Sequence, residues 1–238
     1  MFIDELWPSG PKIYRSPDVL PLGTDSVLLS DFASASAGVK TVCDLGCGSG
    51  IISILLSWDH PERKITGVEL QPEVLDVAKK NIELNGIENV DIVQGDMRDM
   101  RSLPTAGGFD LTVSNPPYFP VSSGKSSDNP CISIAREEIA CSLSDVCKAA
   151  SYLTRWGGKF MLVHRPERLA EIFCRLSENG LEPKRIRFVH SKRDSLPNLV
   201  LIESRRGGKP GLTYCPPLII SNDDGTDTEE IKRIYHRP

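Results

Sequence analysis

Residues 41–50 read Thr-Val-Cys-Asp44-Leu-Gly46-Cys-Gly48-Ser-Gly50. A short β-branched, apolar run breaks there into three alternating glycines. Apolar residues then follow at helical spacing over 51–58. A strand that ends in such a turn and opens into a helix offers backbone N–H groups at the carboxyl edge of a sheet. Glycines let a ligand approach the chain closely and allow positive φ. A dinucleotide site has a different spacing, G-x-G-x-x-G. Here it is G-x-G-x-G, with Asp44 two residues before the first glycine. A tight connection without a ligand is the plainer alternative, with Asp44 a simple helix cap.

Working outward, short apolar runs alternate with helical patterns. Strands are predicted over residues 64–70, 90–93, 109–113 and 159–163. Helices are predicted over 72–85, 142–156 and 166–179. Pro72 suits a first helical position, while Gly86, Gly157-Gly158 and Gly180 suit helix ends. Ser142 or Ser144 can cap the 142–156 segment. Two late strands, 185–189 and 199–202, are joined by a stretch too short for a crossover helix, so they should form an antiparallel hairpin. Strand–helix alternation implies a mostly parallel α/β sheet covered on both faces. The expected organisation is one domain over 1–238. It comprises an N-terminal segment and closing helix (1–38), a seven-stranded core (39–206) and a tail (207–238) that wraps the surface. The tail should end in a short helix capped near Thr226 or Asp227.

The 238 residues suffice for a full core, and no apolar run reaches the roughly 18 residues of a membrane span. The N-terminus has early acids and no basic region of a signal peptide. Seven scattered cysteines without a C-x-x-C pair fit a reducing cytoplasm and argue against a disulfide framework or a zinc site. Cys43 and Cys47 are expected to be packing residues. The four histidines lack metal-like spacing. Net charge is −4, which argues against a generic polyanion coat. A local cluster remains: Lys184, Arg185, Arg187, Lys192, Arg193, Arg205, Arg206 and Lys209. It reads either as a nucleic-acid face or as a solvated rim.

Two further blocks carry chemistry. Glu69 lies 19 residues after Gly50 at a predicted strand end, with Leu70 beside it. A carboxylate placed about 20 residues past a glycine turn accepts both hydroxyls of a ribose. After the fourth core strand comes Asn115-Pro116-Pro117-Tyr118-Phe119. Two prolines remove two N–H donors, leaving a stiff, acceptor-rich loop. A planar exocyclic amine is a poor nucleophile and needs acceptors for its hydrogens. The Asn115 side-chain oxygen and the Pro116 carbonyl are candidate acceptors, and Tyr118 can stack on the flat group. Such a site needs no metal and no covalent intermediate. The plainer reading is a rigid proline turn.

The glycine turn with its preceding acid resembles motif I of S-adenosylmethionine (SAM)-dependent methyltransferases, and the whole alternation resembles their Rossmann-like, class I fold. That resemblance implies SAM as cofactor, held by Asp44, Gly46, Gly48, Gly50, Glu69, Leu70 and Asn115. It also implies that Asp96 accepts from the adenine amine and that Met97 packs on the ring. The block Gly23-Thr24-Asp25-Ser-Val-Leu-Leu reads as a capped helix, with Thr24 or Asp25 as cap. By resemblance, Thr24 and Asp25 close over the methionine end of SAM. The Asn-Pro-Pro-Tyr loop resembles that of enzymes methylating adenine N6, cytosine N4 or glutamine N5. Together with Ile134-Ala-Arg136-Glu-Glu138, Pro197 to Glu203 and Gly207 to Gly211, the chain resembles the bacterial valine-tRNA (adenine-37-N6)-methyltransferase family. A tRNA partner is therefore expected, since a single-stranded loop adenine can be splayed out without melting a duplex. The rivals are a glutamine-N5 methyltransferase of release factors, a SAM-binding RNA module without turnover, a small-molecule methyltransferase and an NAD enzyme. About 40 residues before the first core strand leave no room for the extra helical domain of the glutamine enzymes.

Overall fold

A computed structural model describes residues 2–15, 23–118 and 141–237. The strands are β1 (Phe2–Glu5), β2 (Lys12–Arg15), β3 (Thr41–Leu45), β4 (Lys64–Glu69), β5 (Val90–Gln94), β6 (Phe109–Ser114), β7 (Thr154–His164), β8 (Leu181–His190), β9 (Pro197–Arg206), β10 (Thr213–Tyr214) and β11 (Leu218–Ile219). The helices are α1 (Thr24–Ser34), α2 (Ile51–Asp59), α3 (Pro72–Leu84), α4 (Leu143–Leu153), α5 (Leu169–Glu178) and α6 (Glu229–Ile234). Two short 3₁₀ turns, Met100–Ser102 and Pro166–Arg168, also lie among the described residues.

The central sheet runs in the order β10-β8-β9-β7-β6-β3-β4-β5, with β11 also on β8. Neighbours β3 to β7 are parallel, while β9 is antiparallel to both β7 and β8. This is the expected alternation with its terminal hairpin. The strands are buried on both faces, as parallel sheets are. On one face Val42, Val113, Met161 and Leu201 meet Leu28 of α1, Ile54 of α2, Ala78 of α3 and Ile231 of α6. On the other, Leu45, Phe160, Leu162 and Ile202 meet Val146 of α4 and Ile172 of α5.

Among the described residues the sheet has nine strands, not seven. The two extra strands come from the tail, so the sheet runs past residue 206. Each is two residues long, too short to show a period of two. They form because the outer edge of β8 offers unpaired backbone groups, and an open edge must be covered. Cys215 N donates to Ile186 O at 2.9 Å, and Ile220 N donates to His190 O at 2.9 Å. The β1–β2 hairpin was not anticipated either. It leans on α3, where Asn85 exchanges two 2.7 Å bonds with Lys12 and Asn81 Oδ1 accepts from Tyr14 N at 2.8 Å.

Helix ends differ from expectation in three places. The 142–156 helix stops at Leu153, and Thr154 pairs with Phe109 as β7 begins. Gly157, at φ 75°, then sits beside a register shift in β7 and does not end a helix. Ser142 is the cap of α4, forming a reciprocal capping box with Asp145. Gly23 precedes α1 with no side-chain cap, so Thr24 and Asp25 lie inside its first turn. Thr228, not Thr226 or Asp227, caps α6.

Candidate active site

The carboxyl ends of β3, β4, β5, β6 and β7 lie along one edge of the sheet, and this edge gathers the candidate residues. After β3, Gly46 N and Cys47 N both donate to Val68 O at 2.9 Å, which folds the turn back over β4. Gly46 and Gly48 hold φ of 74° and 56°, a region that penalises any Cβ. A Cβ at Gly48 would meet nothing within 4 Å. The positive φ, and not packing against protein, calls for glycine here, and the open space suits a ligand.

Glu69, at the end of β4, accepts Gly48 N at 3.0 Å through Oε2 and Gln71 N at 2.9 Å through Oε1. Burial raises its carboxyl above the usual range, against the pull of these backbone bonds. Each oxygen keeps a further lone pair for a hydroxyl donor. Asp44 is fully buried. Its Oδ2 accepts from the Ser53 N–H at 3.1 Å and the Ser53 hydroxyl at 2.7 Å, so it satisfies the third residue of α2 from outside the helix. Its Oδ1 has no partner. Desolvation pushes this carboxyl up to about 7, outweighing the Ser53 bonds. An orphaned buried carboxylate oxygen beside the glycine turn suits a cationic ligand. Cys43 and Cys47 are buried packing residues, as expected.

Met97 lies over the turn, its Cε 3.4 Å from where a Cβ of Gly46 would be. Gln94 Nε2 donates to Leu70 O at 3.3 Å, linking the ends of β4 and β5. Asp96 is engaged by Arg98, whose N, Nε and Nη2 reach its two oxygens at 2.6–3.1 Å. A ligand amine at Asp96 therefore competes with Arg98.

At the end of β6, Ser114 Oγ donates to Leu45 O at 2.8 Å, which ties the proline loop to the strand that carries the glycine turn. Pro116 is buried and Pro117 half-buried. Asn115 Nδ2 donates to Ser26 Oγ at 3.1 Å. The Tyr118 hydroxyl lies 2.7 Å from Asn115 Oδ1 and 2.6 Å from Asp25 Oδ2. Burial, and then the Asp25 charge, push the phenol well above its ordinary range, so it keeps its proton. The first turn of α1 is thus bonded directly to the proline loop. Thr24, exposed, hydrogen-bonds Tyr235 beyond α6.

Three residues that sequence reasoning did not single out stand behind Tyr118. The His164 ring centroid is 5.1 Å from that of Tyr118, tilted by 56°. Its Nδ1 accepts Arg165 N at 2.8 Å, which leaves the proton on Nε2. Burial, helped by the Arg168 charge, lowers His164 to about 4, so it is neutral. The Arg165 guanidinium lies 5.8 Å over the Tyr118 ring, and Arg168 Nη1 donates to Tyr118 O at 3.2 Å. Asn81, also missed, is fully buried and donates to Ser49 O at 3.0 Å. Phe119 and the stretch 134–138 lie outside the described residues.

The basic cluster is not one free face. Arg185 pairs with buried Glu203 at 2.7 Å and covers the Phe32 ring at 4.6 Å. Arg187 pairs with Glu230 at 2.8 Å. Arg205, Arg206 and Lys184 donate to the backbone carbonyls of Gly157, Thr154 and Lys209. Lys192 and Arg193, in the β8–β9 turn, and Lys209, beyond β9, are exposed, with neither an ion pair nor a side-chain bond to a carbonyl among the described residues. That turn lies at the same sheet edge as the glycine turn. Among the described residues no group of His, Cys, Asp or Glu could hold a metal ion, and no helix is long and apolar enough to cross a membrane.

Residues 37–182, which contain the carboxyl ends of β3 to β7, match the family model described as a methyltransferase domain. The chain belongs to that methyltransferase family. Relatives and solved structures agree. The methyltransferase is 28% identical over 213 residues to the tRNA1(Val) (adenine(37)-N6)-methyltransferase of Tolumonas auensis, covering 89% of this chain and 86% of that one. It is 29% identical over 190 residues to the protein of the same name from Porphyromonas gingivalis, covering 77% and 74%. A release factor glutamine methyltransferase from Chlorobaculum tepidum is 38% identical, but over only 87 residues, 36% of this chain and 30% of that one. In fold, the methyltransferase resembles a predicted O-methyltransferase from Agrobacterium tumefaciens, with a TM-score of 0.73, 20% identity, and coverage of 90% and 96%. It is a SAM-dependent enzyme of the class I fold. The open glycine turn, the Glu69 carboxylate and the orphaned Asp44 oxygen fit that cofactor.

Proposed function

We propose that this methyltransferase methylates the N6 amine of an adenine in the anticodon loop of a tRNA. The observation that carries the reading is the loop Asn115–Tyr118, bonded to β3 through Ser114 and to α1 through Tyr118. Ser114, just before this loop, is bonded to Leu45, just before the glycine turn, which supports an amide oxygen and a proline carbonyl acting near the cofactor. The names of the relatives point to the same substrate, and they match 89% and 77% of this chain.

When bound, SAM supplies an electrophilic methyl group on a sulfonium sulfur. Asp44, the glycine turn and Glu69 would hold it, with Met97 and Leu70 at its flank. The Asn115 oxygen and the Pro116 carbonyl accept the two amine hydrogens and favour a more tetrahedral nitrogen. The Tyr118 ring offers a stacking face for the base, while its hydroxyl keeps to Asp25. As the new N–C bond forms, the electron pair of the broken C–S bond would stay with the cofactor. The amine then loses one proton to solvent, so no strong base is required. Alignment of the reacting atoms supplies much of the rate.

The test gives tritiated SAM with total tRNA in one tube and release factor in another. Label in N6-methyladenine of tRNA is expected. Label only on protein would overturn the reading and favour the glutamine enzyme, which shares part of the chain.

A further inference from the structure

We infer that Asp25 is a positioning residue: it takes the single hydroxyl proton of Tyr118, and so keeps the Asn115 side-chain oxygen open for the target amine. The inference rests on the amine-methylating reading of the site.

The argument is a count of hydrogens. A phenol carries one proton. Tyr118 has two acceptors in reach, Asp25 Oδ2 at 2.6 Å and Asn115 Oδ1 at 2.7 Å. Both bonds cannot be made at full strength at once. If the proton goes to Asn115, the oxygen needed by the target amine is already occupied. If it goes to Asp25, that oxygen faces only phenol lone pairs and is left without a donor. An unmade acceptor in a partly buried site favours any ligand that brings an N–H. An ionised carboxylate is the stronger acceptor, and its bond is the shorter of the two. The proton therefore sits on the Asp25 side.

The rest of the geometry supports this partition. Asn115 Nδ2 already donates to Ser26 Oγ at 3.1 Å, which fixes the amide with its oxygen toward Tyr118. Ser26 and Asp25 are neighbours in the first turn of α1, so one helical turn sets both ends of the amide. The Tyr118 backbone is held by Arg168, and its ring by His164 and Arg165. The phenol cannot easily swing away from both acceptors. Asp25 thus acts on Asn115 through Tyr118.

The inference makes an unusual prediction of sign. Asp25→Asn should lower kcat by about 10- to 100-fold, the scale of one charge-assisted bond. Affinity for SAM should change little. Tyr118→Phe keeps the ring but removes the competing proton. Added to Asp25→Asn, it should restore turnover several-fold, whereas two independent losses would multiply. A second readout needs no methyl acceptor. The ¹⁵N and ¹³C resonances of the Asn115 side-chain amide should move on Asp25→Asn, and should not move in the Tyr118→Phe background. Asp25→Ser, which withdraws the acceptor, repeats both comparisons should Asp25→Asn not fold.

Further loss of turnover in the double variant would overturn the inference. So would an amide shift that is equal in both backgrounds. A tenfold loss of SAM affinity independent of Tyr118 would instead place Asp25 on the cofactor. If the amide shifts behave as stated but neither tRNA nor release factor is methylated, the proton partition stands and the adenine reading fails.

Discussion

Glu69 accepts the Gly48 N–H at 3.0 Å, so the acid ending β4 and the glycine turn ending β3 form one bonded unit. The same carboxylate also holds the Gln71 N–H at the start of α3. Removing it should do two things. Glu69→Ala should weaken SAM binding by about 1.5–3 kcal/mol, the range for bonds to a charged group. It should also lower the melting temperature, since two backbone donors lose their acceptor. Glu69→Gln, which keeps an acceptor, should hurt stability less than affinity. Calorimetry with SAM and thermal melts separate the two. Unchanged affinity in folded Glu69→Ala would remove Glu69 from the cofactor site.

Asn115 should separate binding from chemistry. Asn115→Ala is expected to lower kcat by a factor on the order of 100 or more. SAM affinity should stay near wild type, because the residues proposed to hold the cofactor lie mainly at the ends of β3 and β4. Wild-type turnover would show the proline loop to be structural only.

Asp44 predicts a pH dependence of stability in the ligand-free protein. Its folded pKa is raised to about 7 by burial, above the unfolded value near 4. The folded state therefore holds a proton that the unfolded chain releases over that window. The resulting stability is fully present below about pH 4 and is lost as pH rises through about 7. Asp110 works in the opposite sense: burial is outweighed by bonds from Lys40 N, Arg155 and Thr41 N, and its pKa falls to about 2. Melts at pH 5 and pH 8 on wild type and Asp44→Asn isolate the first effect. Wild type should lose more melting temperature between the two than Asp44→Asn does. Equal losses would show Asp44 to be ionised at both.

The cationic residues should split into two groups. Arg185→Gln leaves Glu203 buried without its close partner and should cost about 1–3 kcal/mol of stability. Lys192→Gln with Arg193→Gln should leave the melting temperature unchanged. That pair should weaken tRNA binding and flatten its dependence on salt by about one unit of slope per lost phosphate contact. Titrations between 50 and 200 mM salt measure this. An unchanged slope would move the RNA contact elsewhere on the protein.

What the sequence revealed follows from the range of each interaction. The glycine turn, Glu69 and the proline loop are local patterns, and each sits at a strand end that apolar runs mark. The link from Asp25 to Tyr118 spans 93 residues, and nothing in either segment announces the other. Asn81 reads as one more polar residue in an amphipathic helix until the fold places it under Ser49. His164 reads as a residue past a strand until β9 closes over β7. The end of α4 was misplaced because Tyr152 to Trp156 suits a helix or a strand equally, and pairing with β6 decided it. The basic cluster misled because charge is visible in sequence but its partners are not. Glu203 and Glu230 reach it from β9 and α6.

The clasp between α6 and α1 makes the tail part of the frame around the site. Arg233 holds Asp31 across 202 residues of chain, and Tyr235 bonds Thr24, the residue before Asp25. The proline loop grips the same helix through Tyr118 and Asn115. Residues far along the chain therefore bear on the placement of Asp25 through α1.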